Sequence, residues 1–87
     1  MKGENIFIVR TEFVCDGDDC CCGIQAFQER EDAQKCFNGF VEREKKELKN
    51  KEDWVVDEDS NTSFEAYEDG YYADNHSIIR LMAIQIQ

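Results

Sequence analysis

The sequence predicts a single α+β domain over residues 1–87: an antiparallel sheet of about four strands in the order β-β-α-β-β, with one helix packed on one face. Three observations carry this expectation. The first and last stretches alternate with a period of two, the stretch from Glu29 to Lys51 changes to a period of three and four, and Asp16-Gly17 separates two strand-like runs.

From Asn5 to Cys15, Phe7, Val9, Thr11 and Phe13 fall on one face, while Ile6, Ile8 and Val14 share the other with Arg10 and Glu12. Alternation, β-branching and aromatic residues agree on a strand. Asp16-Gly17-Asp18-Asp19 then reads as a hairpin turn, with Cys20 to Gln28 as the return strand. In Glu29 to Lys51, the residues Ala33, Cys36, Phe37, Phe40, Val41 and Leu48 draw one helical stripe. Its first turn is acidic and its last turns are basic, which suits the helix dipole. Gly39 either weakens this helix or lets it approach the sheet closely, and Leu48 alone on the distal turns suggests an end that projects past its packing surface.

Trp54-Val55-Val56 begins a short third strand, closed by Asp57-Glu58-Asp59-Ser60-Asn61. Ser63 to Asn75 mixes polar and aromatic residues around Gly70 and reads as an ordered loop or a helical turn. His76 to Gln87 is a long final strand with Ile78, Met82, Ile84 and Ile86 on one side and Ile79, Leu81 and Ala83 on the other. Apolar residues on both faces call for cover on both. One helix covers one face only, so a second copy of the chain is the expected cover for the other, as a homodimer.

A chain of 87 residues buries roughly 60% of its unfolded surface, a thin margin of stability. Its 41% apolar content still supports a modest core. The net charge is −10, and it is unevenly placed. Between Glu52 and Ile79 there are nine acids and no Lys or Arg, whereas Arg43, Lys45, Lys46, Lys49 and Lys51 crowd just before them. This balance disfavours direct binding to nucleic acid or anionic membranes and favours a basic partner, divalent ions or mimicry of a nucleic acid's charge. No signal-type or membrane-length apolar run is visible, which points to a cytoplasmic protein with reduced thiols.

Enzymatic constellations are missing from the pattern. His76 is the only histidine, and there is no nucleophile elbow, phosphate-cradling glycine loop or C-x-x-C pair. No catalytic residue and no cofactor are therefore assigned, and the chain reads as a non-enzyme. Cys15, Cys20, Cys21, Cys22 and Cys36 lack paired zinc spacing, and consecutive strand residues point to opposite faces. Cys15, Cys20 and Cys22 with His76 make a metal set only if the fold converges them. Buried or idle thiols are preferred.

Asp57, Asp59, Asn61, Ser63, Glu65 and Glu68 occupy the ligand positions of a calcium loop of the helix–loop–helix type. Thr62 stands where that loop needs glycine, and the residues before it read as strand, so an acidic turn is preferred. Trp54, Phe64, Tyr67, Tyr71 and Tyr72, with Glu68 and Asp69 beside them, suit a surface for an Arg- or Lys-bearing partner. The alternative is that the aromatics roof the core or a dimer seam, and this is preferred.

The stretch Ser63-Phe64-Glu65-Ala66-Tyr67-Glu68-Asp69-Gly70-Tyr71-Tyr72-Ala73-Asp74-Asn75-His76 resembles short acidic proteins of bacterial and mobile-element genomes with a β-β-α-β-β layout. The cysteine run Cys20-Cys21-Cys22 departs from that group. The resemblance implies a fold and brings no activity with it. The combined expectation is an accessory or interaction protein that dimerises and offers an acidic surface to a basic protein. The alternatives are an inhibitor that mimics nucleic acid and a divalent-ion binder.

Overall fold

The computed structural model describes residues 4–15, 18–71 and 75–86. Its elements are β1 (Glu4–Cys15), β2 (Asp18–Phe27), α1 (Arg30–Leu48), β3 (Trp54–Asp59), β4 (Ser63–Glu68) and β5 (His76–Ile86). The five strands form one antiparallel sheet in the order β2-β1-β5-β4-β3. The class is α+β as expected, with one strand more than the four anticipated. The Asp16-Gly17 turn lies outside the described residues, but Cys15 pairs with Asp18 across it.

The extra strand is β4, inside the segment expected to be a loop or helical turn. Over Ser63-Phe64-Glu65-Ala66-Tyr67 burial alternates with a period of two: Phe64 and Ala66 are fully buried, and Ser63, Glu65 and Tyr67 are half-buried. Bordered on both sides by β3 and β5, this stretch needs only two apolar residues to hold its place. β3 also runs on through Asp57-Glu58-Asp59, because an edge strand keeps one side in water and tolerates charge there. The ladder shifts register between Val56 and Glu58, at Asp57.

β1 and β5 form the long central ladder, from Glu4 opposite Ile86 to Val14 opposite His76. Val9, Ile79, Leu81, Phe64 and Ala66 point to the face covered by α1 and meet its Ala33, Phe37 and Val41. Full burial of a residue such as Phe37 or Ile79 contributes about 1.5–3 kcal/mol, which is substantial for a domain this small. The acidic first turn of α1 (Glu31, Asp32) and its basic last turn (Lys45, Lys46) match the helix dipole.

Two expectations about α1 are corrected. Gly39 is exposed, and a Cβ there would meet nothing within 4 Å, so it does not serve a close approach to the sheet. The distal end does not project free either. Leu48 packs against the core and Glu44 is buried beneath the helix.

Candidate functional site

Three regions concentrate the chemistry that the sheet brings together. The first is the face turned away from α1. Ile6 stands opposite Ile84, and Ile8 stands between Met82 on β5 and Ala26 on β2. Ile24 is 69% exposed, Ile84 49% and Met82 38%, and no other element among the described residues lies over them. Towards the middle of the same face Arg10 lies opposite Arg80, a like-charge pairing that is unfavourable alone. Two carboxylates offset it locally: Glu65 lies 3.7 Å from the Arg80 guanidinium, and Glu12 follows two residues after Arg10 on the same face. Glu12 also meets the His76 ring, with Oε2 2.8 Å from Nε2. A shallow depression of about 170 Å³ is bounded by Arg10, Glu12, Ile78 and Arg80.

The second region is the acidic β3–β4 hairpin. Its turn is held by Ser60, whose hydroxyl accepts from the Thr62 and Ser63 amides at 3.4 and 3.1 Å, and by a Ser63 to Glu58 side-chain hydrogen bond. The helix is tied to it: Lys45 Nζ lies 2.8 Å from Asp59, and Gln34 Nε2 donates to the Asn61 carbonyl at 2.8 Å. Asp57 and Asp59 stand on β3, Asn61 in the turn, Glu65 on β4, and Glu68 at the far end of the hairpin opposite Trp54. An extended hairpin spreads these donors rather than wrapping them round an ion. Among the described residues no group of three or more His, Cys, Asp or Glu side chains converges for a metal.

The aromatic set does not form one surface, and Phe64, expected on it, is fully buried in the core because it lies on the α1-facing side of β4. Trp54 is half-buried against the core, with Lys51 Nζ 4.9 Å from its ring, and Glu68 is its cross-strand partner. Tyr67, one residue before Glu68, faces the opposite side, opposite Val55 and His76. Tyr71 is 58% exposed and Asp69 exposed, and Tyr72 lies outside the described residues. Cys22 is exposed opposite Glu12. Cys36 is half-buried on α1 with its thiol 3.6 Å from Gln25 Oε1, and burial raises its pKa. The side chains of Cys15, Cys20 and Cys21 lie outside the described set.

The third region was not anticipated. Ala33, Phe37, Val41, Glu44 and Leu48 follow one another at spacings of three and four, so Glu44 falls on the apolar stripe of α1. It is 7% exposed and accepts a hydrogen bond from the Ser77 hydroxyl at 3.0 Å. Desolvation holds its carboxyl above the ordinary 4.5; the Ser77 hydrogen bond opposes this, neighbouring Glu47 reinforces it, and the Lys51 charge opposes it. Beside it, between α1 and the sheet, lies a cleft of about 410 Å³. The spacing was legible, but a charged residue on a stripe is read by default as its solvent-side edge.

No family model, no curated protein and no solved structure matches the chain. No helix among the described residues is long and apolar enough to cross a membrane.

Proposed function

We propose that this protein is a non-enzymatic interaction module that works as a homodimer, two copies meeting through the sheet face opposite α1, with the acidic β3–β4 hairpin presented to a basic protein. The observation that carries this reading is the open face itself. It exposes Ile24, Met82 and Ile84 together, where scattered single apolar residues would need no explanation. Charge favours a second copy at this place. In a chain of net charge −10, approach of two copies is opposed nearly everywhere, yet this face sets Arg10 and Arg80 against Glu12 and Glu65. The β1–β5 ladder runs from Glu4 opposite Ile86 to Val14 opposite His76; at about 3.4 Å per residue and about 4.8 Å per strand it covers roughly 360 Å², so β2 and β4 must share the seam to reach about 800 Å² per partner.

The hairpin supports the second half of the reading. Asp57, Glu58 and Asp59 lie on an edge strand, exposed to solvent on the side away from its neighbour. Charged edges discourage strand addition; Asp57 is exposed here, and the exposed Lys45–Asp59 pair and the Ser63–Glu58 hydrogen bond would have to yield for Asp59 and Glu58 to meet a partner's Lys or Arg. The resemblance to short acidic bacterial and mobile-element proteins is compatible with such an accessory role.

Multi-angle light scattering at tens of micromolar tests the dimer. The expected mass is about twice the chain's 10.2 kDa. Ile84→Glu, which introduces a like-charged pair at the seam, should return the mass to that of one chain. A wild-type mass of one chain under these conditions refutes the reading.

A further inference from the structure

We propose that the cleft between the C-terminal half of α1 and the sheet is a binding site for a small organic cation, an amine carried on an aromatic or aliphatic body, with Glu44 as the residue that receives the amine. The fold gives no reason of its own for a carboxylate at this position. An apolar side chain on the stripe would bury area, whereas an ionised carboxyl under a helix is costly unless a partner compensates it. The Ser77 hydroxyl supplies one hydrogen bond and no charge. A cation arriving in the cleft supplies what is missing.

The space and its walls agree with that guest. The cleft of about 410 Å³ falls within the range of small-molecule sites. Phe13, Phe40 and Trp54 give it apolar aromatic walls, all three only partly buried by the core. Its floor includes Gly23, where a Cβ would come within 3.2 Å of Thr11 Oγ1; glycine keeps that part of the floor clear. Two of these three rings, Phe40 on α1 and Trp54 on β3, already hold cationic groups. The Arg43 guanidinium lies 5.9 Å from the centre of the Phe40 ring, and the Lys51 ammonium 4.9 Å from that of Trp54. Lys51 acts on the Glu44 carboxyl least of its neighbours, and its ammonium rests over the Trp54 ring, forming no ion pair with Glu44. The cleft's own lining sets Glu44 and Glu47 against Arg43 and Lys51, and the net charge of −10 adds a longer-range field that favours cations over anions. This site lies across the sheet from the proposed dimer face and does not depend on it.

Trp54, the sole tryptophan, lines the cleft and reports occupancy by its fluorescence. The probes are phenethylamine, its neutral counterpart 2-phenylethanol, and the anion phenylacetate. Phenethylamine should give a saturable change in the millimolar range, the affinity open to so small a ligand. The alcohol and the anion should bind at least about tenfold more weakly, as expected for loss of a charge-assisted contact. Glu44→Gln should weaken phenethylamine by a similar factor, and Lys51→Ala should leave it equal or tighter. The comparison of ligands on the wild-type chain needs no variant to fold. The proposal is overturned by the lack of any saturable change up to tens of millimolar, by phenylacetate binding as tightly as the amine, or by a folded Glu44→Gln chain that binds phenethylamine undiminished.

Discussion

The two faces of the sheet are built from the same two strands and meet opposite fates. On one side of β1 and β5, Val9, Ile79 and Leu81 disappear under α1. On the other, Ile6, Ile8, Met82 and Ile84 form an apolar surface with no element above it among the described residues. Strand alternation makes both faces apolar, but only the helix stripe decides which becomes core. Apolar pattern is therefore a statement about a need for cover, and the source of the cover is a separate question.

Truncations on each side sharpen this contrast. Phe37→Ala removes a fully buried ring and should cost about 3–5 kcal/mol, enough to unfold much of the population. Ile84→Ala on the open face, measured by urea unfolding at low protein concentration where copies are apart, should cost less than about 1 kcal/mol. Equal losses at the two positions would mean that the open face is covered within one chain.

The covered face carries one exception, Glu44, and pH addresses it. Its carboxyl titrates above 4.5 in the folded chain, so the stability held with Glu44 protonated is full below 4.5 and is lost as pH rises through the folded value. Glu44→Gln does not titrate. Its urea midpoint relative to wild type should therefore be higher at pH 7 than at pH 4, and a pH-independent difference would contradict the desolvated carboxylate.

Smaller effects are expected on the outer side of α1. Gly39→Ala, with nothing for the new methyl to meet, should stabilise by up to about 1 kcal/mol in thermal unfolding. Lys45→Ala breaks the exposed pair with Asp59 and should cost between 0 and about 1 kcal/mol, less in high salt.

The sequence made some of this legible and hid the rest for identifiable reasons. The faces of β1 and β5 could be read directly, because both strands are long, rich in β-branched and apolar residues, and send successive side chains to opposite faces. β4 was hidden because only Phe64 and Ala66 mark its inner side, and the acids and tyrosines around them look like loop. The strand order was hidden because β1, paired with β2 on one edge, takes the distant β5 on the other, and nothing local announces such a partner. Glu44 sat in plain view on the helix stripe, but its burial follows from where α1 rests on Ser77.

That central ladder has a consequence for how the chain reaches its native state. β1–β2 and β3–β4 are local hairpins that can close early, whereas Val14 to His76 and Glu4 to Ile86 join residues separated by most of the chain. The closure entropy of those contacts must be met before their ladder rewards it, so folding should fall in the slow range of non-local topologies, milliseconds to seconds. Until β5 arrives, β1 and β4 each present a bare edge. The interval before that strand inserts is the period in which this acidic chain is most exposed to mispairing, and its own like charge is then what keeps neighbouring copies apart.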